Sequence, residues 1–314
     1  MDAPRLRPLG IGEILDAAIK IYRSRYKTLM KAVFVVVAPV QLLTAVVRLS
    51  LPTSINMSAT TTDPFGDTTR TTDIDAAALI GTVAALLIIA MIGLIASQLA
   101  TATSLKVVSN AYLGEEEDWR ASLRFATSRL PSLIWLTLRI GLLAFFGFLA
   151  CVVPGVYLYF AWAVAVPVLL LEDKRGRHAT RRSRQLVKGR WWPVFACVAI
   201  ALLLASIVGG AFQGILVGVL ASTDSELLIA VATAIAAIAS AVLVTPFSAA
   251  VNGIVYFDLR VRKEGFDLEL LARTLGVDPT PEALAWAADV PALGPGDEQP
   301  PFWPPPPGWK PQGG

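Results

Sequence analysis

The chain has 314 residues, of which 55% are hydrophobic and only 16% charged, with a formal net charge of +3. Water-soluble domains carry about 25% charged and about 45–50% apolar residues, so a soluble globular protein, a disordered chain and a collagen-like repeat are excluded. Only two cysteines (Cys151 and Cys197) and one histidine (His178) are present, which excludes a disulfide scaffold and argues against a histidine-based metal or acid–base centre.

In chain order, residues 11–31 read as an amphipathic helix. Ile11, Ile14, Leu15, Ala18, Tyr22, Tyr26 and Leu29 recur on one face, and Glu13, Asp16, Lys20, Arg23 and Lys27 on the other. A helix of this kind lies in the headgroup plane or packs against the inner ends of a bundle. A membrane crossing needs about 20 mainly apolar residues. Residues 32–47 carry no charge and are flanked by Lys31 and Arg48, whose long stems can snorkel, so the first span is drawn at about 29–51. Residues 76–105 give the second span. Between Arg129 and Glu172 the one charge is Arg139, and Pro154-Gly155 divides that stretch into spans at about 133–153 and 156–171. Residues 193–221 and 227–257 complete six spans, separated by a short segment with Asp224 and Glu226.

Lys and Arg alternate across these spans. Residues 1–31, 106–132, 172–192 and 258–314 hold 24 of the 27 basic residues, and the intervening segments hold almost none. Short loops rich in Lys and Arg stay cytoplasmic, which places both termini in the cytoplasm of a cell-membrane protein. Two further basic segments, 121–133 and 179–192, precede outward-going spans as residues 11–31 do. The expected fold is therefore all-α, with six transmembrane helices as three hairpins, each preceded by an amphipathic cytoplasmic interfacial helix. Residues 1–275 form the membrane domain. Residues 276–314, with the Pro-rich end QPPFWPPPPGWKPQGG, form a disordered cytoplasmic tail whose Trp303 and Trp309 flank a run that suits an aromatic-lined groove on a partner.

Chemistry is sparse. Gly210, Gly214 and Gly218 repeat at four-residue spacing, as do Ala232, Ala236 and Ser240, and these small-residue faces are expected to pack together or against a second copy. Trp191 and Trp192 read as interface anchors. Lys20, Arg23, Lys27, Arg181, Arg182, Arg184, Lys188 and Arg190 are candidate contacts for anionic lipid headgroups. Arg139, a charge at membrane depth, is a candidate substrate contact, although it lies close enough to the cytoplasmic end to snorkel. The acidic run Glu115–Asp118 and the outer-loop Asp63 and Asp67 lack the spacing of a metal site, and no catalytic motif or nucleic-acid signature is present. No metal, cofactor or nucleic-acid partner is expected.

Four segments, RPLGIGEILDAAIKIYRSRYKTLM, VVPGVYLYFAWAVAVPVLLLED, RRSRQLVKGRWWPVF and YFDLRVRKEGFDLELLA, resemble a bacterial membrane-domain family named for its fusion to some glycerophosphoryl diester phosphodiesterases. The resemblance spans about residues 6–275, and the Pro-rich aromatic tail is similar to those of actinobacterial membrane proteins. It implies an integral membrane domain. The phosphodiesterase half of the fused members is a separate barrel for which this chain has neither the length nor the histidines. The reading is a non-enzymatic multi-pass protein that binds lipid or organises a partner or a second copy. The alternative is a small-molecule or lipid transporter, suggested by Arg139 and by Pro39, Pro167 and Pro246 in or near three spans.

Overall fold

A computed structural model describes residues 9–50, 59–62, 68–71, 76–114, 118–220 and 225–266. Its elements are α1 (Ile11–Ser24), α2 (Tyr26–Ser50), β1 (Ala59–Thr62), β2 (Thr68–Thr71), α3 (Ala76–Leu113), α4 (Trp119–Ala150), α5 (Val152–Ala161), α6 (Ala165–Leu171), α7 (Arg177–Val187), α8 (Trp191–Leu220) and α9 (Glu226–Glu264). The chain divides into two units, Met1–Lys263 and Glu264–Gly314. The predicted tail at 276–314, the acidic residues 115–117 and the loop residues Asp63 and Asp67 lie outside the described residues.

Six stretches among the described residues are long and apolar enough to cross a membrane: Tyr26–Ser50, Leu79–Leu113, Trp119–Ala150, Val152–Leu171, Trp191–Leu216 and Leu227–Glu264. Many large apolar side chains on them are exposed, Leu87, Leu149 and Ile215 among them, as lipid-facing surfaces require. Within the first unit α2 packs on α3, α3 on α4 and α4 on α5. Val33, Val37, Ala100 and Val242 form an apolar core between α2, α3 and α9. Towards the basic end of the bundle, Tyr112 of α3 stacks on Phe257 of α9 with ring centroids 4.9 Å apart, so α9 is held against α3 over much of its length.

The structure departs from the sequence reading at four places. The loop after α2 carries an antiparallel hairpin, Ala59–Thr62 paired with Thr68–Thr71, which apolar-window counting does not detect in a Thr-rich segment. The amphipathic helix expected to reach residue 31 ends at Ser24, with a break at Arg25. The basic segment 121–133 is not a separate helix but the first turns of α4, which runs through Pro131. Finally, the break between the third and fourth apolar stretches, expected at Pro154-Gly155, lies at Cys151, whose extended backbone separates α4 from α5. Proline is tolerated in a first helical turn because no N–H is needed there.

Gly155 has a different role from turn formation. A Cβ at this position would lie 2.6 Å from Phe148 Cγ and 2.8 Å from the Phe148 backbone nitrogen. Only glycine lets α5 cross the end of α4 so closely. Gly155→Ala is expected to cost about 1–3 kcal/mol, because backbone cannot swing aside as a side chain can. Thermal unfolding in detergent checks this, and an unchanged midpoint would contradict the close crossing.

The fourth crossing is broken. After α5 the chain makes short-range turns at Trp162–Val164 before α6 resumes. Pro167 in the first turn of α6 has no N–H to give to the carbonyl of Ala163, so a continuous helix is disfavoured. One freed carbonyl, that of Ala161, accepts a hydrogen bond from Ser183 Oγ of α7 at 3.0 Å. That bond pins α7 beside the break.

Candidate anion-binding groove

The local sequence of α7 fixes what it presents. Ala179, Thr180, Ser183, Leu186 and Val187 are buried at helical spacing, which turns one face onto the bundle. Gly176, with φ +57°, leads into α7, and Gly189, with φ +86°, ends it and redirects the chain into α8. Arg177, Arg181 and Arg184 follow one another at spacings of four and three residues and so share a face.

That face borders an open groove of about 620 Å³ between α4, α5 and α7. Arg177, His178, Thr180, Arg181 and Arg184 line its α7 wall. Arg139, the lone charge inside a predicted span, lines it from α4 together with Leu143 one turn further along. Leu158 and Trp162 of α5 and the break complete it. The Arg184 guanidinium lies 5.9 Å from the centroid of the Trp162 ring. Trp162 is only 6% exposed, and its indole N–H has no hydrogen-bond partner among the described residues.

The neighbouring carboxylates are spent elsewhere. Glu172 accepts hydrogen bonds from Arg182 Nε at 2.9 and 3.2 Å, from Tyr256 OH at 3.1 Å, and pairs with Lys174 Nζ at 2.8 Å. Asp173, held at φ +53°, pairs with Arg129 and with Arg175. Among the described residues no carboxylate lines the groove, and Arg139, Arg177 and Arg181 pair with none. Burial on its own would push the Glu172 carboxyl up; the hydrogen bonds and charges of Lys174 and Arg182 more than reverse this and hold it below its ordinary value.

The structure thus divides the basic residues singled out from sequence. Arg139, Arg181 and Arg184 come together in the groove. Arg182, between two of them in sequence, points to the other side and serves Glu172. Lys188 caps α7, its carbonyl accepting a hydrogen bond from Lys263 Nζ at 2.6 Å. Arg190 borders a small gap beside Asp258 and Cys197. On α1, Lys20 pairs with Asp16 at 2.7 Å, Arg23 is in the exposed last turn, and Lys27 at the start of α2 lies 5.8 Å from the centroid of the Tyr26 ring. Trp191 stacks on Tyr157 and Phe195 and donates to the Tyr157 carbonyl at 3.3 Å, fixing the start of α8 against α5.

Among the described residues the two small-residue faces do not meet each other. Gly210, Gly214 and Gly218 face open space. The glycine at the α8–α9 contact is Gly209, where a Cβ would come 2.9 Å from Ser240 Oγ. Ala232 and Ala236 are buried on α9. A one-residue offset rotates a helix position by about 100°, which is enough to move a stripe from one neighbour to another.

Sequence reasoning missed Arg177, His178 and Trp162 as groove residues. The spacing of Arg177, Arg181 and Arg184 was available as a signal, but nothing local announces that α4 brings Arg139 to the same groove.

These elements define a multi-pass helical protein of membrane type with a basic, apolar-backed groove at one end. A family model described as "Domain of unknown function (DUF8558)" matches residues 125–279, a segment that contains every groove residue. No curated protein matches the chain. No solved structure matches it either.

Proposed function

We propose that the protein is a non-enzymatic lipid-binding membrane domain whose groove holds the phosphate of an anionic amphiphile. The observation that carries this reading is the meeting of Arg139 with Arg177, Arg181 and Arg184 in one groove backed by Leu143, Leu158 and Trp162. The charged groups offered, the guanidiniums of Arg139, Arg177, Arg181 and Arg184, are all donors, beside His178 and a Thr180 oxygen whose proton goes to the Arg177 carbonyl. Such a wall suits an acceptor-only phosphate, and the apolar side suits acyl chain. Guanidiniums are no general acids or bases at neutral pH, so His178 has no acid–base partner in the groove, which favours binding over chemistry.

In this reading the basic end faces the cytoplasm with both termini, the six crossings form three hairpins, and α1 and α7 lie at the inner leaflet of the cell membrane. The resemblance to the phosphodiesterase-fused membrane domains supports the lipid setting without conferring an activity. The outward glycines at 210, 214 and 218 leave room for a second copy or another protein partner. The apolar core of Val33, Val37, Ala100 and Val242 fills the space between α2, α3 and α9, which favours a binding domain over a transporter.

The test is lipid retention by the purified full chain, read by native mass spectrometry from micelles holding equal phosphatidic acid and phosphatidylcholine. A strong preference for phosphatidic acid is expected. Arg139→Ala combined with Arg181→Ala should reduce it by about tenfold or more, since a hydrogen bond to a charged group contributes about 1.5–3 kcal/mol. Equal retention of the two lipids by the native protein would refute the proposal.

A further inference from the structure

A second cleft lies away from the basic groove, between α2, α8 and α9, with a volume of about 230 Å³. Gln41, Thr44 and Arg48 of α2, Gln213 of α8 and Thr233 of α9 line it, over a lining of alanines. Along α8, Gln213 is about 33 Å from Trp191 at 1.5 Å per residue, so the cleft opens near the bundle end opposite α7. Val37, one turn before Gln41 on α2, belongs to the apolar core with Val242.

Five polar side chains from three otherwise apolar helices line this one space, a setting that suits a polar occupant. Gln41, Arg48 and Gln213 make no side-chain hydrogen bond to any described residue. Their arrangement differs chemically from the groove on α7. Thr44 Oγ1 donates to the Val40 carbonyl at 2.8 Å, and Thr233 Oγ1 donates to the Ala230 carbonyl at 2.9 Å. Both hydroxyl protons are used within their own helices, so each oxygen offers the cleft only acceptor lone pairs. Arg48 offers only donors, and the two carboxamides offer both. A bare phosphate, which only accepts, would leave the threonine oxygens unserved. A purely cationic group would oppose Arg48.

We propose that this cleft is a second binding site, for a headgroup that joins an anionic phosphodiester to free hydroxyls, such as phosphoglycerol. Arg48 takes the phosphate, the threonine oxygens accept from the hydroxyls, and Gln41 and Gln213 bridge the two. The volume is that of about eight waters, enough for one such headgroup with its chains lying outside among the helices. The site shares no residue with the groove on α7 and stands or falls independently of it.

Nanodiscs of phosphatidylcholine containing equal phosphatidylglycerol and phosphatidylmethanol provide the test. The two anionic lipids carry the same phosphodiester charge and differ in the glycerol hydroxyls. Native mass spectrometry of the full chain should show phosphatidylglycerol retained about fivefold over phosphatidylmethanol, a ratio within reach of one or two neutral hydrogen bonds. Gln213→Leu with Thr233→Val should bring the ratio to about one, and Thr44→Val on a different helix should lower it in the same direction. Both keep near-native volume, and monodisperse elution of each verifies folding. Displacement of the retained lipid by free glycerol 3-phosphate assigns the site to a soluble headgroup, and resistance to it assigns the site to the lipid. Equal retention of the two lipids by the native protein, or an unchanged ratio in the folded variants, overturns the proposal. Arg181→Ala should leave the ratio intact, which separates this outcome from failure of the groove.

Discussion

Glu172→Gln is expected to lower the unfolding temperature of the detergent-solubilised protein by roughly 6–12 °C at pH 7, corresponding to about 3 kcal/mol. The Glu172 side chain is only 9% exposed and joins three elements: Arg182 of α7, Tyr256 of α9 and Lys174 in the loop after α6. Removing its charge costs Arg182 its buried counter-charge while Arg182 stays in place, and truncation of one partner costs more than the pair contributes. Lys174, at 45% exposure, adds little because solvent screens it. The pH dependence has a definite sign. A carboxyl held below its ordinary value of 4.5 contributes stability that is complete above that value and disappears as the pH falls through the lower native one. The gap between native and Glu172→Gln midpoints should therefore be widest near pH 7 and close as the pH falls below the ordinary carboxyl value and through the lower native one. A gap that stayed constant with pH would show that Glu172 acts by packing rather than by charge.

Asp258→Ala is expected to cost about 3 kcal/mol and to release α1 from the bundle. The Asp258 side chain is 7% exposed and closes a ring with the start of the described chain. Its Oδ1 accepts the Leu9 N–H at 2.8 Å, and its two oxygens accept Arg262 Nε at 3.0 and 2.9 Å. Arg262 in turn donates to the Leu9 carbonyl at 2.7 Å. Without the carboxylate, the Leu9 amide and the guanidinium lose their shared acceptor in a buried setting. Hydrogen exchange should then rise across Ile11–Ser24, whereas Glu172→Gln should raise it on α7 and leave α1 protected. Unchanged protection of α1 in Asp258→Ala would show that Ile14 and Ala18, both buried, hold the helix without the ring.

The two latches show where sequence reading stops. Glu172 and Asp258 stand in charged stretches, EDKR and DLRVRK, that look like solvated surface. Nothing in those stretches signals that Tyr256 will reach Glu172 from 84 residues away or that Leu9 will meet Asp258. Arg139 was legible as a candidate because a charge between Arg129 and Glu172 is conspicuous in an apolar run, yet its company was not. Arg181, Arg182 and Arg184 look equivalent in sequence, and helical rotation sends the middle one to a carboxylate and the outer two to the groove. Gln41 and Gln213 lie in separate apolar runs far apart in the chain, with nothing in either run to say that they share a cleft.

By itself the sequence determined the class of this protein and the approximate places of its six long apolar stretches, because the cost of taking charge into hydrocarbon acts on each segment locally and is written in composition. The tertiary structure alone decided which charges are neutralised and which are left facing a groove, where the α4–α5 turn falls, and which glycine meets a neighbour. Those outcomes depend on contacts between residues far apart in the chain and on helix rotations of a single position, for which no local run of residues holds a record.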